Sequence, residues 1–242
     1  MRRTIVLLAT MALTLLVASG LALAITKIGT DGPDTLQGTN GDDVLSGRGG
    51  NDVLFALRGN DNLLGGPGKD WVLGGNEVRP LGGDKNLLGG SGNDGMFGGT
   101  GPDNMLGGSG NDRLGGGPGS DRMMGNEGRD VVDGDSGPDH LFGGEGPDWV
   151  SSGPLRDTSR NTLSGGDGDD ALISNNRPAT RDVVSCGRGF DIVVADSEDL
   201  VAPDCERVRR GPTTEQEDDE LFFRLGFVEV DEGLPPDPSA GD

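Results

Sequence analysis

The sequence predicts an all-β fold: a parallel β-roll, or β-solenoid, of nonapeptide repeats followed by a disordered acidic carboxyl-terminal tail. Three observations carry that prediction. A nine-residue period runs through the chain, glycine fills 47 of the 242 positions, and aromatic residues are scarce, with 7 Phe, 2 Trp and no Tyr. With only 32 % hydrophobic residues, mostly small aliphatics, the chain lacks the material for the thick core of an ordinary globular enzyme. Collagen is excluded as well, because its triple helix needs glycine at every third position.

The repeats come first. From Gly29 the chain reads GTDGPDTLQ, GTNGDDVLS, GRGGNDVLF, ALRGNDNLL, GGPGKDWVL, five nine-residue units that form a block over 29–73. From Gly89 it reads GGSGNDGMF, GGTGPDNML, GGSGNDRLG, GGPGSDRMM, GNEGRDVVD, GDSGPDHLF, GGEGPDWVS, seven units that form a block over 89–151. In both blocks position four is always Gly, position six always Asp and position eight always aliphatic or Met.

Each fixed position has a mechanical reason. Gly at position four fits a turn with positive φ, and Gly29, Gly38, Gly65 and Gly89 at position one are read as extending that freedom. Positions seven to nine suit a three-residue strand whose central side chain points away from its neighbours. Position eight therefore faces inward, and Leu36, Leu45, Leu54, Leu63, Val72, Met96, Met105, Leu114, Met123, Val132, Leu141 and Val150 form a thin aliphatic stack. Two units make one coil, and successive coils lie about 4.8 Å apart.

Position six brings in the chemistry. Asp34, Asp43, Asp52, Asp61, Asp70, Asp94, Asp103, Asp112, Asp121, Asp130, Asp139 and Asp148 line up in two files along the coil edges. Carboxylates one strand spacing apart repel unless a cation lies between them. The acid excess makes the same demand, with 41 Asp and Glu against 20 Lys and Arg and a net charge of -21. Such a polyanion avoids nucleic acid and anionic membranes. Carboxylates and turn carbonyls offer oxygen alone, which suits calcium. Zinc would want Cys or His, of which there are 2 and 1, and magnesium prefers stricter octahedra.

These units resemble the RTX, or haemolysin-type, calcium-binding nonapeptide G-G-x-G-x-D-x-U-x over roughly Gly29 to Val194. The resemblance implies that the turn of one unit and the equivalent turn one coil later clamp a calcium ion through aspartate carboxylates and backbone carbonyls. It pairs Asp34 with Asp52, Asp43 with Asp61, Asp52 with Asp70, and Asp94 with Asp112 through to Asp130 with Asp148. At most about eight ions then fit the regular blocks.

Departures from the pattern bound that reading. The interruption at 74–88 places Lys85 at the ligand position, so no calcium is expected there, only a loop or a shifted coil. Arg48 and the pair Ala56 and Leu57 replace glycines in the first block. A second irregularity runs from Ser152 to Ser164, with Asp157 nominally in phase, after which GGDGDDALI resumes with Asp170 and Leu172. Asp182, Val184, Asp191 and Val193 keep the phase within 152–208, read as irregular repeats and a cap. Asp170 and Asp191 join the candidate metal ligands. This stretch is similar to the final segment of secreted calcium-binding repeat proteins of actinobacteria, in which CG-x-G-x-D and DCE recur.

Residues 1–24 read as a secretory signal peptide, with Arg2 and Arg3 before an apolar run and Ala22-x-Ala24 as the cleavage site. The alternative is an uncleaved anchor, and Gly20 breaks the span that it would need. Cys186 and Cys205 are the only cysteines, and beyond a signal peptide they are expected to pair as a disulfide. The segment 209–242 is an acidic tail, and within it Leu221 to Val228 is an apolar run that fits either a cap for the open end of the solenoid or a surface that recruits a partner.

No catalytic constellation stands out, so the chain is read as non-enzymatic. His140 sits at an outward position, and the pairs Asp42 and Asp43 or Asp169 and Asp170 belong to the repeat rather than to a glycosidase. The function expected is a secreted, extracellular protein that folds on binding several calcium ions. The alternative is a calcium-stabilised adhesin or cell-envelope matrix module, in which Trp71 and Trp149 at outward positions meet a cell-surface or carbohydrate partner.

Overall fold

The computed structural model describes residues 24–75, 85–176 and 178–211. Most of the signal segment, residues 76–84 of the interruption, and residues 212–242 of the tail with its apolar run from Leu221 to Val228 lie outside them. Arg209 and Arg210, read as the start of the tail, pair instead with Val194 and Ala195 as part of the last strand. No helix occurs among the described residues.

Short strands alternate along the chain between two parallel ten-stranded sheets, so each strand pairs with the strands two before and two after it. The first sheet begins at Thr26–Ile28 and the second at Thr35–Gln37. Because each nonapeptide carries the chain halfway round the coil, residues eighteen apart stack, as in Leu45 on Leu63 and Leu114 on Val132. This is the β-roll.

The second sheet keeps mostly to three-residue strands such as Trp71–Leu73, as the pattern predicts. In the first sheet most strands run on into the following glycines, for example Asn62–Pro67 and Asp103–Ser109. There the turn itself joins the ladder, with the Gly92 N–H donating to the Ser109 carbonyl at 2.8 Å.

Position eight forms the core. Leu45, Leu54, Leu63, Val72, Met96, Met105, Leu114, Met123, Val132, Leu141 and Val150 are buried, and Leu36 packs at the margin. Leu87, Leu163, Leu172, Val184 and Val193 continue the stack. Burying one Leu or Met contributes about 1.5–3 kcal/mol, so a single aliphatic side chain per half coil makes a thin interior.

The interruption is not a shifted coil. Asn62, Leu63 and Leu64 pair with Asn86, Leu87 and Leu88, so the strand Lys85–Ser91 lies in register. The spacing there is 24 residues, where 18 is the rule. The fifteen residues thus stand in for one enlarged unit, not for two shortened ones. A slip by one residue would have turned Leu87 outward, which fixes the register.

Two further expectations need correcting. Positive φ recurs at position two as well as at four in most units, though not at Thr30, Thr39 or Gly32: Arg48, Leu57, Asn126 and Asp135 adopt it at position two without being glycine, at φ 78, 80, 81 and 61. Trp149 is not exposed, being 7 % accessible and packed with Ala171, Ile173 and Val194. Trp71 stacks on Phe97 with ring centroids 6.3 Å apart, over Gly95, where a Cβ would fall 2.6 Å from the indole. Residues that alternate outward on a wide flat sheet still cover one another, which periodicity alone does not reveal.

Cys186 and Cys205 form a disulfide across 19 residues near the end of the roll. A loop of that size contributes about 3 kcal/mol in the chain-entropy account. Replacing both cysteines by serine is expected to lower stability by about that amount. Chemical denaturation in calcium checks this, and an unchanged midpoint would contradict it.

Candidate metal centre

Each position-six aspartate ends a turn and opens a strand, so its carboxylate lies against the turn one coil back. In the second-sheet file the Asp34 N–H donates to Asp52 Oδ1 at 2.8 Å, and the same bond recurs from Asp52 to Asp70. It continues through Asp94, Asp112, Asp130, Asp148, Asp170 and Asp191 at 2.8 to 2.9 Å. The last rung is Glu206, which accepts from Asp191 N–H at 3.0 Å. This file is acidic throughout.

The first-sheet file runs from Asp43 to Asp61, meets Lys85, and resumes through Asp103, Asp121 and Asp139. Asn161 takes the next rung, followed by Asp182 and Asp199. All eight pairs expected in the regular blocks are thus neighbours, and Asp70 with Asp94, Asp148 with Asp170, Asp170 with Asp191, and Asp182 with Asp199 add four.

The second carboxylate oxygen behaves differently. Oδ2 of Asp52, Asp70, Asp94, Asp112, Asp121, Asp130, Asp139, Asp148, Asp170, Asp182 and Asp191 is sealed from water and has no hydrogen-bond partner. Buried carboxylate oxygens without a donor are costly, so a repeated row of them calls for a cation. Asp34 and Asp43 are exceptions, since Thr30 and Thr39 at position two each donate a backbone N–H and a hydroxyl to their Oδ2.

Position-one glycines are explained by this oxygen, not by φ. A Cβ on Gly107 would lie 2.4 Å from Asp112 Oδ2 and 2.8 Å from the Gly125 carbonyl oxygen. Gly47, Gly89, Gly98, Gly125 and Gly143 meet the equivalent pair of oxygens. Carboxylate and carbonyl oxygens therefore converge beside each such glycine, a hard oxygen set of the kind that calcium takes. Among the described residues no three His, Cys, Asp or Glu side chains gather as a metal group, so backbone carbonyls must complete any site.

Burial pushes these carboxyls up. Desolvation is the largest cause, against which the backbone N–H bonds pull down and neighbouring carboxylates add to the rise. Asp70 and Asp130 reach about 6, Asp94, Asp112, Asp121, Asp170 and Asp182 about 7, and Asp139 and Asp148 about 8. Asp34, in contact with Thr30, is held below the usual range.

Asp182, Asn161, Asp199 and Glu206 complete the files although the repeat did not single them out as ligand positions. Asp182 had a signal in its phase with Val184. Asn161 had none, because its turn is lengthened to a spacing of 22.

Two outcomes follow. Gly107→Ala should cost about 1–3 kcal/mol by crowding Asp112, whereas Gly32→Ala, whose nearest neighbour would be Thr30 Oγ1 at 3.9 Å, should stay within about 0.5 kcal/mol. Denaturation of both variants in calcium checks this. Without metal, the folded roll keeps protons that the unfolded chain loses above its ordinary carboxyl pKa of 3.8, so stability should fall as pH rises from about 4 to about 8. Circular dichroism in chelator should show more β structure at pH 5 than at pH 8, and the reverse order would contradict it.

The family described as RTX calcium-binding nonapeptide repeat (4 copies) matches residues 28–63, 47–77, 88–123, 115–150, 124–159 and 157–176, together more than half of the chain. No curated protein matches it. The repeat of this family is a structural calcium-binding unit, not a catalytic one. With its stacked nonapeptides and oxygen-lined turns, the chain belongs to the RTX calcium-binding nonapeptide repeat family.

Proposed function

We propose that this is a secreted protein whose β-roll forms when several calcium ions bind between stacked turns. The observation that carries the reading is the row of buried Asp Oδ2 atoms without hydrogen-bond donors, most of them beside a turn carbonyl of the next coil, as Asp52, Asp70, Asp94, Asp112, Asp130 and Asp148 are beside a glycine carbonyl. Asp52, Asp61, Asp70, Asp94, Asp103, Asp112, Asp121, Asp130, Asp139, Asp148, Asp170 and Asp191 supply the carboxylates, with Asp34 and Asp43 as weaker end members. Bound calcium supplies positive charge and coordination for those oxygens. The twelve neighbouring aspartate pairs set the ceiling on the ions held this way, above the eight of the regular blocks.

Secretion is supported by the signal-like amino terminus and by the disulfide, which persists in oxidising surroundings. Export into calcium-rich medium would then couple metal binding to folding. The raised carboxyl pKa values agree with this, because they mark sites where charge is penalised until a cation arrives.

A second reading, a calcium-stabilised adhesin or cell-envelope matrix module, is favoured by the outer face of the first sheet. There Leu64 and Leu88, 43 % and 38 % exposed, run beside a ladder in which Asn86 and Asn104 amides donate to Asn62 and Asn86. Retention on cell-wall polysaccharide in calcium supports that role, and failure to be retained removes it.

The direct test of the main reading is a calcium titration of chelated protein followed by far-UV circular dichroism. At a pH above about 8, where these carboxyls are ionised, a β signal is expected to rise cooperatively with calcium, and a β signal that chelator leaves intact there would overturn the coupling.

A further inference from the structure

Lys85 occupies a position-six rung in the first-sheet file, in register with Asp103 and next to the strand that begins at Asn62. Its side chain is fully buried, which is rare for lysine without a charged partner. The ammonium lies 3.7 Å from Asp103 Oδ1 and donates to the Thr100 carbonyl oxygen at 3.2 Å. Gly74 gives it room, since a Cβ there would fall 2.9 Å from Lys85 Cδ.

The partners of the ammonium are informative. Thr100 and Asp103 are positions three and six of one turn, GGTGPD, and offer a backbone carbonyl and a carboxylate. That is the same kind of oxygen set as the one assigned to calcium along the files. An ammonium has three donors and no acceptor, so it satisfies such oxygens as a point cation.

We propose that Lys85 is a tethered cation that takes the place of calcium at this rung, a role that rests on the calcium reading of the files. It balances the charge of Asp103 without metal and holds the coil that follows the enlarged unit in register. It also divides the first-sheet file, so that Asp43 and Asp61 are separated from the run beginning at Asp103, while the second-sheet file passes unbroken beside it. The coil around Lys85 is consequently the part of the roll least dependent on calcium.

The test uses the full chain with calcium alone as probe, in Lys85→Met and Lys85→Asp variants. Bound calcium is counted by elemental analysis, and folding is followed by circular dichroism against free calcium. Lys85→Asp should bind at least one more ion per chain than the parent and should fold only at higher calcium. Lys85→Met should bind the same number as the parent and require several-fold more calcium to fold. Unchanged stoichiometry in Lys85→Asp, or an unchanged calcium midpoint in Lys85→Met, overturns the role. So does a Lys85→Asp chain that stays unfolded in saturating calcium. If the parent binds no calcium the functional reading itself falls; if the parent binds calcium and both variants match it, only the role of Lys85 does.

Discussion

Like charges held one strand spacing apart are the constraint from which the rest of this structure follows. Two carboxylates about 4.8 Å apart repel by about 3–4 kcal/mol at an effective dielectric of about 20, and the second-sheet file stacks nine aspartates and a glutamate. Backbone N–H groups satisfy one oxygen of each carboxylate and thereby fix its orientation. The other oxygen is left turned toward the glycine turn. The fold thus commits one oxygen of these carboxylates to holding the coils together and, from Asp52 onward along the second-sheet file, leaves the other buried without a donor.

That division explains the composition. Glycine at position one keeps a Cβ from the space beside Oδ2, as at Gly107, and glycine at position two avoids the carbonyl of the preceding coil: a Cβ on Gly108 would fall 1.9 Å from the Gly90 carbonyl oxygen. The aliphatic stack from Leu45 to Val193 is one side chain wide, so hydrophobic burial alone leaves little margin against charge repulsion and chain entropy. The disulfide between Cys186 and Cys205 secures the end of the roll, where turns shorten and Glu206 replaces aspartate.

Much of this was legible in the sequence because a strict nine-residue period maps directly onto space. Position eight gave the core, position six the two files, and the two cysteines the disulfide. What stayed hidden depended on turn length and on contacts between coils. Asn161 sits at the end of a lengthened turn, and Asp70 reaches Asp94 only because a 24-residue coil keeps register. The burial of Trp149 depends on Ala171, Ile173 and Val194 on the same face in the following coils. The reason for glycine at position one lies in an oxygen five residues further on, and Lys85, which reads as a mere break in the motif, is a buried and paired rung.

Anomalous X-ray diffraction from crystals grown in calcium tests the central claim most directly, because it places each ion against the carboxylates. The account predicts a row of calcium peaks beside Oδ2 of successive second-sheet aspartates from Asp52 to Asp191, bonded also to glycine-turn carbonyls. A roll with the same fold and no calcium along that file would contradict it.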